Sequence, residues 1–182
     1  IKKIAEVYMY RLGDYEKALH YFNMHLDVFP EDDSIYEELG TLYERMNRDD
    51  KALEMYEKAL ALDTKNINVL MDIAYISGGE IDRVDKLNDI LEFCENPVDS
   101  SKIYNAMYSM NVEYGRIDDA LEAIQNAIDV LEGELPLINY NWYFERIPKL
   151  YVAIDQYEKG LSVMKEYEEK FSFPINMNVK IW

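Results

Sequence analysis

The 182-residue chain carries 19 Lys and Arg against 36 Asp and Glu, a formal net charge of −17 with a pI of about 4.4. That balance excludes nucleic acid as a partner, because neutralising phosphates requires clustered basic side chains, and it disfavours an anionic membrane surface for the same reason. With 49% hydrophobic and 30% charged residues the chain is globular rather than disordered, and it holds no apolar run of the roughly 18 residues that would span a bilayer.

Only seven Gly and five Pro punctuate the sequence, so it is expected to be nearly all helix with short connections. The single Cys94 excludes an internal disulfide and is expected to be a buried thiol on a helix. The sequence starts at Ile1 partway through its first helix pair, and we expect a fragment of a longer protein or a processed one.

Taken in order, the first helix pair turns at Leu12-Gly13-Asp14 and continues with Tyr15, Ala18 and Phe22 to Pro30. The second, Asp33 to Asn66, is the best formed. Ala52, Leu53, Tyr56, Ala59 and Leu60 recur at three- and four-residue intervals on one helix face, with Glu54, Glu57 and Lys58 opposite. Ser34 with Glu37 fits a capping box, and Asp49 or Asp50 is expected to cap the next helix. Ala52 or Ala59 replaced by Leu is expected to overpack the helix crossing at a cost of about 1–3 kcal/mol. Tyr43→Ala is expected to cost about 3–5 kcal/mol, as for a core ring.

The third pair is eroded. Ile67 to Ser77 makes a first helix with Leu70, Ile73 and Ala74 inward, Gly78-Gly79 stops it, and the next helix turns Leu87, Ile90, Leu91 and Cys94 to one face until Asn96-Pro97 ends it. The fourth pair turns at Tyr114-Gly115-Arg116. The fifth turns at Ile154-Asp155-Gln156, and Pro148 is expected to kink its first helix or delay its start.

Ala18 and Ala52 stand 34 residues apart, Ala52 and Ala120 stand 68 apart, and Ala120 and Gly160 stand 40 apart. A fixed period of this length is the signature of a solenoid in which each helix pair buries its apolar face on its neighbours.

The pattern resembles the tetratricopeptide repeat family. In the second repeat the likeness rests on Tyr36, Leu39, Gly40, Tyr43, Ala52, Tyr56 and Ala59, with Thr64 in place of the usual Pro. In the first it rests on Ala18, Phe22 and Pro30, with His25 replacing a small residue, and in the fourth on Tyr104, Met107, Ala120, Ile124 and Ala127. The resemblance implies an all-α fold, a right-handed superhelix of antiparallel helix pairs. It implies one domain over 1–182 with repeats at about 1–32, 33–66, 67–100, 101–134 and 141–171. Residues 172–182 are expected to form a capping helix or the start of a truncated sixth repeat.

No phosphate-binding Gly loop, metalloprotease His pair, paired CxxC or serine-hydrolase elbow occurs. His20 and His25 are five apart and do not share a helix face as metal ligands at i, i+4 would. Glu31-Asp32-Asp33 lacks the alternating spacing of a calcium loop and reads as a solvated helix start. We therefore assign no catalytic, cofactor-binding or metal-ligating residue and expect no cofactor.

Binding is better placed. In the resembled family the first helices of successive repeats line a concave groove for a peptide or partner protein. By register, that implies partner-binding positions at Tyr10, Thr41, Met71, Tyr75, Asn105, Ser109, Trp142, Glu145 and Lys149, flanked by Val7, Glu37, Glu44 and Val112. The Lys–Asn clamp with which some members hold a chaperone's terminal carboxylate is set aside. Lys3 fits it, but Val7, Glu38, Asn68 and Asp72 stand at the other places.

The expected function is a non-catalytic protein–protein interaction scaffold with a protein or peptide partner, no nucleic acid and no membrane insertion, and cytoplasmic residence is favoured. Two alternatives are a regulatory or sensor domain of a larger signalling or transcription protein, and a homo-oligomer formed through residues 133–182. That last segment holds 6 Lys and Arg against 7 Asp and Glu, with ten aromatics, whereas residues 1–132 hold 13 against 29. Exposed aromatic surface without charge is a common association signal.

Overall fold

A computed structural model describes residues 1–131 and 145–171. Trp142, the extra residues expected between the fourth and fifth repeats, and the tail 172–182 lie outside the described residues. Within them the chain is all-α, and consecutive helices pack as antiparallel pairs. Helix α1 (Lys2–Glu6), which runs on into π-helical turns over Val7–Leu12, pairs with α2 (Tyr15–Leu26), and α3 (Asp33–Arg45) pairs with α4 (Asp49–Leu62). Helices α5 (Ile67–Ile76) and α6 (Glu80–Glu92) come next. Then α7 (Pro97–Glu113) pairs with α8 (Ile117–Val130), and α9 (Ile147–Ala153) with α10 (Tyr157–Phe171). The chain divides into two compact units, Ile1–Arg83 and Val84–Trp182.

The turns carry the sequence period into the backbone. Gly13, Asn47, Gly115 and Asp155 all have left-handed backbones, with φ of 64°, 55°, 70° and 56°. Glycine, asparagine and aspartate are the residues that reach this region at least cost. The residue after each closes the helix by donating its amide to a carbonyl one turn back: Arg48 to Tyr43, Arg116 to Asn111 and Gln156 to Tyr151, at 2.8–2.9 Å. Each of these closures spans five residues, the geometry of a Schellman-type helix end. In the first pair Asp14 reaches back six, to Tyr8, because the π-helical turns admit one extra residue. The third turn breaks the series: Gly78, with φ 99°, falls 31 residues after Asn47 rather than 34.

Capping differs from expectation in two places. Ser34 lies inside α3 and donates to Asp32 at 2.5 Å, so no capping box forms with Glu37, whose side chain instead accepts from Asn66. Asp49 and Asp50 occupy the first turn of α4 behind Arg48, and neither caps it; their charge favours the helix start only through the dipole. Side-chain caps are made by Asp14 to the Lys17 amide, Asn66 to the Val69 amide and Asn96 to the Asp99 amide. Asn96-Pro97 therefore begins α7, with Pro97 at its first position, and α6 has already ended at Glu92. Pro148 sits in the first turn of α9, consistent with a helix that starts late.

In the first unit Ala5, Met9, Ala18, Phe22, Ile35, Leu39 and Leu42 form one buried cluster, and Ala52, Tyr56, Ala59 and Val69 a second between α4 and its neighbours. At Gly40 α3 comes close against α4: a Cβ there would lie 2.3 Å from Tyr56 Cε1. Tyr43 is half-buried with the Lys51 ammonium 5.5 Å from its ring centre, so the cost expected for a core ring overstates what its removal would do. In the second unit the core joins α8 to α9 and α10 through Ile124, Ile128, Leu131, Ile147, Leu150 and Met164. Gly160 repeats the role of Gly40, with a Cβ there 2.9 Å from that of Tyr151. Cys94 lies two residues beyond the end of α6 and is only half-buried, and burial pushes its thiol up, away from the reactive thiolate.

Candidate functional site

The division of labour within each pair leaves one face of the first helices outside the core. In the first unit this face belongs to α1 with its π-helical extension, α3 and α5. It carries Val7 (42% exposed), Tyr10 (49%) and Tyr75 (50%), large apolar or aromatic groups that the core does not use.

Hydrogen bonds tie the first two of these helices together across it. Lys2 donates to Ser34 at 2.8 Å, and the Tyr10 hydroxyl donates to Glu38 Oε2 at 2.8 Å. The Arg45 guanidinium lies 5.0 Å from the Tyr10 ring centre. Burial, reinforced by the bond to Glu38, raises the Tyr10 phenol above its usual value, so it remains a donor throughout the neutral range.

Between α3 and α5 the chemistry is acidic. Tyr56, rooted in α4 and buried around its ring, sends its hydroxyl through to this face and donates to Glu44 Oε1 at 2.9 Å. Thr41 lies 3.4 Å from the same hydroxyl and donates to the Glu37 carbonyl at 3.2 Å. Asn66 Nδ2 donates to Glu37 Oε2 at 3.1 Å. Asp72 stands beside them. Burial, with the negative charges of Glu44 and Glu37, pushes its carboxyl up to about 7, and Tyr56 offsets part of this. Burial also raises Glu38 and Glu44.

Of the partner-binding positions expected from sequence, Tyr10, Thr41, Met71 and Tyr75 thus fall on adjoining helices of the first unit. Thr41 is committed to bonds within the face, Met71 is half-buried, and Tyr10 and Tyr75 are open. Asn105 and Ser109 lie on α7 of the second unit, where Ser109 turns its hydroxyl back to the Asn105 carbonyl at 3.0 Å and Val112 is 39% exposed. Glu145 is exposed just before α9, and Lys149 is exposed on it. The elements that the register did not single out are the Tyr56 hydroxyl, Glu38 and Asp72. A tyrosine where only a ring is needed for packing was the available signal, since its hydroxyl must find a partner.

The two histidines are used locally. His25 Nε2 lies 2.9 Å from Asp32 Oδ2, and His20 packs edge-on against Tyr21. No helix among the described residues is long and apolar enough to cross a membrane.

Residues 1–65 match the family model for the tetratricopeptide repeat. Among solved structures the chain is similar to BtubC (BKLC) from P. vanneervenii, at 20% identity and a TM-score of 0.65, over 92% of this chain and 78% of that one. It is similar to PilW, described as a widely conserved type IV pilus biogenesis factor, at 14% identity and 0.62, over 94% and 76%. It is also similar to MamA, at 17% identity and 0.60, over 99% and 94%. At these identities the likeness is one of fold. No curated protein matches the sequence.

Proposed function

With tetratricopeptide repeats, protein-interaction scaffolds in general, in its first 65 residues, we propose that this chain is a non-catalytic scaffold that binds a peptide or partner protein on the first-helix face of its repeats. The observation that carries this reading is the exposure of Val7, Tyr10 and Tyr75 on helices whose other faces are spent on packing. Exposed aromatics of this kind are the residues that most often anchor a partner, because they bring large contact area at low entropic cost. The second-unit positions Asn105, Ser109, Glu145 and Lys149 extend the reading to α7 and α9, and Trp142 extends it to the segment before α9.

The test is site-specific photo-crosslinking in the source cell. A benzoylphenylalanine at position 10 or 75 replaces one exposed aromatic by another. Adducts with a defined protein from these two positions, and none from the exposed Glu57 on α4, support the reading. Adducts only from position 57 refute it.

A further inference from the structure

The part of this face between α3 and α5 has a charge that the chain meets with neutral donors. Among the described residues, no lysine or arginine forms an ion pair with Glu37, Glu44 or Asp72; Glu37 accepts from Asn66 and Glu44 from Tyr56, both neutral donors. Yet Glu44 and Asp72 are partly covered, which raises the cost of their charge above that of a solvated acidic surface. Beside them Tyr75 is half open, and its ring already carries a guanidinium, that of Arg83, 5.2 Å from its centre. At the other end of the same face the Tyr10 ring holds Arg45 in the same way. Arginine on tyrosine is thus the contact this surface makes twice with its own chain.

We propose that the α3–α5 face docks an arginine-bearing segment of the partner, the guanidinium meeting Glu44 and Asp72 and the apolar residues beside it lying on Met71 and Tyr75. This rests on the first-helix reading above and names the chemistry of its partner. Charge complementarity selects a cation. The planar, weakly hydrated guanidinium suits it better than an ammonium because it can engage a carboxylate in two parallel bonds while stacking on a ring. A metal ion is the poorer occupant: among the described residues no set of acidic or histidine side chains converges closely enough to hold one. An arriving cation would also draw the proton from Asp72, so binding should strengthen as pH rises through neutrality.

Fluorescence anisotropy with a labelled Leu-Arg-Leu-Arg-Leu peptide, and its citrulline counterpart of equal shape and no charge, tests the proposal. The arginine peptide is expected to bind the intact chain and the citrulline peptide about tenfold or more weakly. Glu44→Gln with Asp72→Asn is expected to weaken arginine-peptide binding by a similar factor. Asp50→Asn with Glu57→Gln, which removes the same charge from exposed positions on α4, is expected to leave it unchanged. Circular dichroism melts confirm that both pairs of variants are folded. Equal losses in the two pairs would mean nonspecific attraction to an acidic protein and would overturn the proposal, as would equal binding of the citrulline peptide or no binding of either. Crosslinks from position 75 to a partner, with no arginine-peptide binding, would leave the scaffold reading intact and remove this inference alone.

Discussion

Asp72 offers the sharpest test of the electrostatics. Its carboxyl moves from 3.8 to about 7 on folding, chiefly because burial disfavours the charge. The folded chain therefore keeps a proton that the unfolded chain releases, and stability falls as pH rises from about 4 to about 7, then levels off once both states are ionised. Converted at ~1.4 kcal/mol per pH unit, the displacement corresponds to at most ~4 kcal/mol. The group is only half-buried, and screening by water brings the expected penalty nearer about 1–2 kcal/mol. Asp72→Asn keeps the shape and cannot ionise. The variant should match the parent in urea unfolding at about pH 4 and exceed it by about 1–2 kcal/mol at about pH 8. A difference between the two that stays constant across this range, or a variant less stable at the alkaline end, would refute the argument.

Three further outcomes are expected from the packing and the turns. Gly40→Ala places a methyl 2.3 Å from the Tyr56 ring and should cost about 1–3 kcal/mol in chemical denaturation; a neutral result would mean α3 and α4 are not in this close contact. Asn47→Gly relieves a left-handed backbone and should raise stability by about 0.5–1 kcal/mol, read as a higher urea midpoint; a lower midpoint would count against the turn geometry. Asn96→Ala removes the bond to the Asp99 amide that starts α7 and should cost about 0.5–2 kcal/mol, with amide exchange accelerated in that first turn; unchanged exchange would deny the cap.

The fold was largely legible because its signals are local. The alanines at 18, 52, 59, 120 and 127 are all fully buried, as their spacing on one helix face requires. The residues at 13, 47, 115 and 155 are all types that tolerate a left-handed backbone, so the turns could be read from composition. The π-helical turns over Val7–Leu12 could not, because no Gly or Pro marks the extra residue and the apolar spacing around it stays helical. Capping misled at Ser34 because a serine that fits the motif had a better acceptor in Asp32.

The site was only half legible for a different reason. Register assigns each residue to one face, but Tyr56 serves two: its ring fills the gap over Gly40 while its hydroxyl emerges among carboxylates on the far side. Asp72 was visible only as a departure from a known clamp. Its significance depends on how deeply the neighbouring helices cover it, which no spacing rule conveys.

The left-handed turn residues carry one more implication, for how such a chain can change length. Gly13 and Asn47 occupy the same conformational state one period apart, and each is followed by an amide that closes the helix before it. Excising the chain between them, or duplicating it, joins two ends that share a left-handed turn residue, and the period of the downstream residues is kept. Gly78 is out of phase with that series. A deletion or duplication running from Asn47 to there would remove or add 31 residues rather than 34, so whole repeats are exchanged at the regular turns and not at the third.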